Sequence, residues 1–304
     1  MYYFCKMKQI LLTLSLLLLA VSCGKNGTDG LYISVQDSCW EITANDQVGW
    51  PCYIGREKVS VLMYSSSTGY FQTLNGTYTV DGHRVDVTAD DNAIRMVRTF
   101  SHLKNSSNKN YTRLSPEAPA SMSGSLWANM KDNDLHFSYY REDGTLLTGT
   151  YANVIHKEGI ASGWSFGTEE YSVTGNQYSD ASHKGVLYGN KFMVLEDYAV
   201  PCVSIPERME GTSSLKGTLW LLNSTAYPGF ILFTSATEFV RVLVASGVYF
   251  QTLKGTYSLK GNSLEFKTDS EELNKTCTIN REEGKFTYLD RTYSWENMAL
   301  ALGQ

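Results

Sequence analysis

The sequence predicts an all-β fold, tandem antiparallel β-barrel units behind an N-terminal signal peptide. Three observations predict it. Apolar residues alternate with period two: Val59, Val61 and Met63 interleave with Lys58, Ser60 and Leu62, and His83, Val85 and Val87 with Arg84, Asp86 and Thr88. Turn dipeptides such as Asp81-Gly82, Asp143-Gly144 and Gly261-Asn262 punctuate these runs at hairpin spacing. The chain also repeats itself. Tyr70-Phe71-Gln72-Thr73-Leu74-Asn75-Gly76-Thr77-Tyr78 recurs as Tyr249-Phe250-Gln251-Thr252-Leu253-Lys254-Gly255-Thr256-Tyr257, with eight of nine positions identical.

The leader comes first along the chain. Lys6 and Lys8 form a basic start, and Ile10 to Val21 is an apolar run interrupted only by Thr13 and Ser15. The run is short for a bilayer span and ends in small residues, Ala20-Val21-Ser22-Cys23, which is the pattern of a cleaved signal peptide. This segment resembles the lipobox of bacterial lipoproteins. The resemblance implies cleavage before Cys23 and a lipid attached to its sulfur, giving residues 1–22 as signal peptide. Each buried acyl CH₂ contributes roughly 0.8 kcal/mol, so two or three chains anchor a protein without a spanning helix. Residues 23–35 then form a tether, opened by the Gly-rich polar run Gly24 to Gly30. The acidic run that resembles the surface-export signal of Bacteroidetes lipoproteins is missing after Cys23. The expected address is therefore the cell envelope, lipid-anchored in the outer membrane and facing the periplasm.

Three β units follow, at 36–115, 121–206 and 213–304. The first and third are joined by the duplication, which also aligns Trp40 with Trp220 and Val59-Ser60-Val61-Leu62 with Val240-Arg241-Val242-Leu243. The middle unit is a weaker copy. Gly124-Ser125-Leu126-Trp127 matches Gly217-Thr218-Leu219-Trp220, and Gly149-Thr150-Tyr151 is read as the third Gly-Thr-Tyr. Trp40, Trp127 and Trp220 are assigned to the cores. Helical periodicity is confined to Glu296–Leu302. The Gly-x-x-Trp starts and the Gly-Thr-Tyr hairpins resemble the small lipocalin-like domains of Bacteroidetes lipoproteins. That resemblance implies up-and-down barrels with a Trp closing one end.

Charge and motifs narrow the chemistry. The net charge is −5, and the leader carries away Lys6 and Lys8, leaving about −7. No basic stripe is available for phosphates, so nucleic acid is not an expected partner. Gly163-Trp164-Ser165-Phe166-Gly167 has the spacing of a nucleophile elbow, but no helical pattern follows it, so no catalytic serine is assigned. The five histidines show no metal-ligand spacing, and neither metal nor cofactor is expected. Glu169-Glu170 and Glu282-Glu283 are adjacent on strands and point to opposite faces, which opposes their acting as catalytic pairs. Once Cys5 and Cys23 are set aside, Cys39, Cys52, Cys202 and Cys277 remain. Cys39 and Cys52 are placed to close a short disulfide loop; four buried free thiols are the equal alternative.

The aromatics carry the functional expectation. Tyr and Trp combine apolar area with a polar handle, and Trp50, Tyr70, Trp164 and Tyr249 are selected as ligand-binding candidates. The chain is thus read as a non-catalytic envelope lipoprotein, held to the membrane through Cys23, that binds a small ligand, a glycan or a protein partner on an aromatic surface or barrel mouth. The alternative is a glycan-handling enzyme or accessory protein, which requires two carboxylates facing one cleft flanked by Trp or Tyr.

Overall fold

The computed structural model describes residues 32–89, 92–152, 154, 163–204, 215–222, 227–245, 249–280 and 282–294. Cys23, His156 and the expected C-terminal helix lie outside the described residues. The chain is all-β, with two closed eight-stranded antiparallel barrels in tandem. The first comprises β1 (Ser38–Ala44), β2 (Gln47–Ile54), β3 (Lys58–Ser65), β4 (Tyr70–Asp81), β5 (Arg84–Ala89), β6 (Asn92–Arg98), β7 (Leu103–Asn105) and β8 (Asn110–Leu114). Each strand pairs with the next, and β8 closes on β1 through Trp40 opposite Arg113. The second comprises β9 (Leu126–Lys131), β10 (Asp134–Tyr140), β11 (Thr145–Ala152), β12 (Gly163–Thr174), β13 (Gln177–Asp180), β14 (Lys184–Tyr188), β15 (Phe192–Leu195) and β16 (Ala199–Ser204), closed by β16 on β9.

A third set repeats the order: β17 (Leu219–Leu222), β18 (Gly229–Leu232), β19 (Glu238–Ala245), β20 (Tyr249–Lys260), β21 (Ser263–Lys267), β22 (Lys275–Thr278), β23 (Lys285–Tyr288) and β24 (Arg291–Ser294). Here β24 returns to β17, and β22 meets β23 through a bridge in which Asn280 and Lys285 exchange backbone hydrogen bonds of 2.8 and 3.0 Å. Among the described residues no helix is long and apolar enough to cross a membrane.

Each unit begins on the same small device. Trp40, Trp127 and Trp220 are at most 1% exposed. Each indole N–H donates to a hydroxyl two residues earlier, on Ser38 (2.8 Å), Ser125 (2.8 Å) or Thr218 (3.0 Å). That hydroxyl donates in turn to the carbonyl three residues before it, on Val35, Met122 or Leu215. A Trp can be buried at the end of a barrel only if its N–H finds an acceptor, and the Ser/Thr at position −2 supplies one. The chain is already packed at Ile33, whose N–H donates to Thr99, and at buried Val35.

The long fourth strand turns a corner in the first and third units. β4 pairs with β3 over Tyr70–Thr77 and with β5 from Gly76 onward, and β20 pairs with β19 up to Thr256 and with β21 from there. Gly76 and Gly255 sit at the crossover. A Cβ on Gly76 would lie 1.9 Å from the Thr88 carbonyl oxygen, and one on Gly255 2.1 Å from that of Lys267. The repeated Gly-Thr-Tyr thus has a steric reason. Its tyrosines donate to backbone carbonyls of the neighbouring hairpin, Tyr78 to Gly55 at 2.6 Å and Tyr257 to Ser235 at 2.9 Å.

The supposed third Gly-Thr-Tyr does not correspond. Gly149-Thr150-Tyr151 lies on β11, the third strand of its unit, not on the fourth. Counting back from the equivalent turns at Gly82, Gly175 and Gly261 places Glu169-Glu170-Tyr171 of β12 where the other units have Gly-Thr-Tyr.

The units share surfaces as well as topology. The two near-identical nonapeptides pair antiparallel with each other, Phe71 opposite Phe250 and Tyr70 opposite Gln251, so the first and third units form one continuous sixteen-stranded sheet. The Phe71 and Phe250 rings stack 5.5 Å apart. Around them lies a core to which all three units contribute, including Leu126, Phe137, Leu147, Phe230, Val242 and Phe250. Strands here are buried on both faces, hence the continuous apolar runs of β17 and β18. A smaller core of Cys39, Trp50, Cys52 and Leu62 against Tyr188, Phe192 and Ala199 joins the first unit to the second.

Candidate functional site

One cavity opens at one end of the first barrel. Strand alternation dictates its walls. Trp40 points inward, so Ile42 and Ala44 do too; opposite them stand Gly49 and Gln47, then Met63 and Ser65, then Gln72 and Tyr70. These residues line a cavity of about 550 Å³ together with Tyr64, Asn105, Tyr111 and Tyr249. That volume lies within the range of ~300–1,000 Å³ typical of small-molecule sites. Met63 is 36% exposed inside the mouth, one of few large apolar side chains left to solvent.

The rim is held in shape by Asp46. Its carboxylate accepts from the hydroxyls of Ser67 and Ser65, the latter at 3.1 Å, and its carbonyl accepts from the N–H of Ser66 at 2.9 Å. The turn between β1 and β2 is thereby fastened to the loop between β3 and β4. The Ser67 and Ser65 hydroxyls keep the Asp46 carboxyl below its ordinary value. On the other side the third unit supplies a wall. Tyr249 meets Tyr70 edge to face at 5.2 Å, and Gln251 Nε2 donates to the Thr68 carbonyl at 3.1 Å. The mouth therefore requires both copies of the duplication: one builds the barrel and the other covers its flank.

Of the four aromatics selected from sequence, Tyr70 and Tyr249 come together at this mouth. The other two lie elsewhere. Trp50 is 8% exposed in the joint between the first and second units, against Phe192 at 5.9 Å, with its N–H donating to Glu41 at 2.8 Å. Lys191 of the second unit reaches the same carboxylate at 3.0 Å. Trp164 is half-buried in the three-unit core, stacked on Phe166 at 5.8 Å and edge-on to Tyr151 and Phe230.

Cys39 and Cys52 stand directly opposite each other on β1 and β2 as free buried thiols, and Cys202 and Cys277 are free as well. Burial pushes the Cys52 thiol well above its ordinary value, with Cys39 beside it adding to the effect. Ser165 lies mid-strand on β12 opposite Thr150, and no strand-to-helix turn projects it. Asp132 and Asn133 form the tight turn between β9 and β10, both with positive φ. Among the described residues no group of three or more His, Cys, Asp or Glu is arranged to hold a metal.

A second cavity, about 230 Å³, lies inside the second barrel and is lined by Asn129, His136, Ser138, Thr148, Thr150, Glu169, Tyr178, Asp180, His183 and Tyr198, among others. Sequence reasoning missed it. The signal was available: Asn129 stands two residues past Trp127 and must share its face.

No family model matches the chain, and no curated protein matches it. Among solved structures it is similar to the DNA polymerase III subunit beta from Pseudomonas aeruginosa, at 8% identity over 86% of this chain and 91% of that one, with a TM-score of 0.14. A DnaN sliding clamp from Bartonella birtlesii bound to griselimycin gives 5% identity over 86% and 91%, with a TM-score of 0.13. At such scores the likeness carries no inference about function.

Proposed function

We propose that this chain is a non-catalytic cell-envelope lipoprotein, anchored through Cys23, that binds a small amphipathic ligand or a glycan end in the mouth of its first barrel. One observation carries the binding reading. Met63 is exposed within a 550 Å³ opening whose rim is fixed by Asp46 and flanked by the Tyr70–Tyr249 pair. The aromatic faces and Met63 suit an apolar surface, and Gln47, Ser65 and Gln72 suit hydroxyls. The lipobox-like leader supports the anchor and the envelope address.

The test is a glycan array and a ligand-titration panel run on the full chain in detergent. Binding that Tyr249→Ala and Met63→Trp each weaken supports the reading; binding that both variants leave unchanged removes it from this mouth. For the anchor, Cys23→Ala abolishes acyl labelling; labelling that persists refutes it. One observation favours the alternative of a glycan-handling enzyme: Glu169 and Asp180 line one cavity with Trp127, Tyr178 and Tyr198. Turnover of an aryl glycoside that Glu169→Gln abolishes would replace the binding reading.

A further inference from the structure

The interior of the second barrel departs from its siblings at equivalent positions. One inward layer is Ile42, Gly49 and Met63 in the first barrel and Leu222, Gly229 and Leu243 in the third, but Asn129, His136 and Thr150 in the second. The next layer is Pro51 and Val61, then Ile231 and Arg241, but Ser138 and Thr148 in the second. Polar groups turned inward are costly unless something hydrogen-bonds to them. Some are satisfied internally: His136 Nδ1 lies 3.1 Å from Thr150 Oγ1, and Tyr178 donates to Asp180 at 2.6 Å. Asn129 is not. It is 3% exposed, lines the cavity, and its amide nitrogen has no partner.

The electrostatics restrict what would complete the site. Burial pulls the Asp180 carboxyl upward, but the Tyr178 hydroxyl, the N–H groups of Ser182 and His183 and the His183 ring outweigh it and hold it ionised. Burial lowers His136, favouring its uncharged ring. Glu169 adds a second carboxylate to the wall. An anion would meet two carboxylates, and an apolar molecule would leave Asn129 and Glu169 unanswered. Hydroxyl groups satisfy both, accepting from the Asn129 amide and donating to Glu169, while Trp127, Tyr140 and Tyr178 offer faces for a ring's C–H groups.

We propose that the second barrel encloses a binding site for a small neutral polyhydroxylated molecule of monosaccharide size, separate from the mouth of the first barrel. Asn129 is its buried donor and Glu169 its acceptor. His183, whose side chain is 41% exposed, stands at the opening.

The experiment is saturation-transfer NMR and calorimetry on the full chain in detergent, with glucose, galactose, N-acetylglucosamine and myo-inositol as probes. At least one binds with a Kd of roughly millimolar or tighter, and Asn129→Leu weakens it by at least about tenfold. Thr148→Val, close in shape, weakens the same probe and guards against a misfolded Asn129 variant. Tyr249→Ala leaves the affinity unchanged. Three results overturn the proposal: no probe binds; binding survives both Asn129→Leu and Thr148→Val; or binding is lost with Tyr249→Ala, which assigns it to the first barrel's mouth.

Discussion

The first barrel and the third unit share a nonapeptide, a Trp device and a corner glycine, yet their described interiors differ: the first opens on a cavity and the third is packed with aromatic side chains. The difference lies at a handful of inward positions. Met63 is 36% exposed, whereas Leu243, its equivalent opposite the equivalent glycine, is 7% exposed. The third interior is packed with Trp220, Phe233, Phe239, Phe266, Phe286, Tyr288 and Tyr293, while the first relies on Val59, Val61, Val85 and Val87 beside Trp40, Tyr53 and Tyr78. Arg241 lies in the filled barrel with its guanidinium 5.7 Å from the Tyr288 ring. The strand that bends the sheet and the side chains that fill it are thus separable: the shared segment sets the curvature, and side-chain volume decides whether a cavity remains.

The largest expected effect tests the equivalence itself. Gly76→Val and Gly255→Val each place a side chain against a carbonyl oxygen within 2.1 Å. Each should cost about 3 kcal/mol or more, read by chemical denaturation. A mild effect at one and not the other would break the structural equivalence of the two nonapeptides. Next come the two end positions. Leu243→Ala empties a packed site and should cost about 2–5 kcal/mol, whereas Met63→Ala, in the open mouth, should cost under about 1 kcal/mol. Equal costs would mean that the first barrel is not open.

A smaller effect is expected at the junction. Gly69 has φ +65° and its Cβ position lies 2.3 Å from the Thr252 carbonyl oxygen, while its own carbonyl accepts from the Thr252 N–H at 2.8 Å. Gly69→Ala should destabilise by roughly 1–3 kcal/mol and accelerate hydrogen exchange of the amides where β4 meets β20. Unchanged exchange there would show that the shared sheet is held from elsewhere. The smallest effect concerns the second barrel. The Asp180 carboxyl is lowered in the folded chain, so its contribution is complete above the unfolded value of about 3.9 and is lost as pH falls through the folded value. Asp180→Asn should flatten that part of the acid denaturation profile; an unchanged profile would show that the Tyr178 contact does not stabilise the carboxylate.

Much of the architecture was legible in local pattern. Period-two alternation gave the strands, and Trp40, Trp127 and Trp220 read as core because each opens a unit. Tyr70 and Tyr249 were selected as aromatics and meet at one rim. Trp50 and Trp164 carried the same signal, yet they fill joints between units, because composition does not distinguish an aromatic that meets a ligand from one that meets another barrel. Asn129 and His136 went unrecognised because a polar residue on an alternating strand reads the same whether its face meets a filled core or a cavity.

By itself the sequence determined which residues lie on strands, which face each presents and where hairpins turn, since those follow from alternation, backbone sterics and turn chemistry between near neighbours. Only the tertiary structure decided that the two nonapeptides hydrogen-bond to each other, that Met63 faces solvent while Leu243 does not, and that the Asn129 side-chain amide nitrogen is left without a partner. Those outcomes depend on which distant surfaces meet and how much volume they leave between them, and neither quantity is a property of any local run of residues.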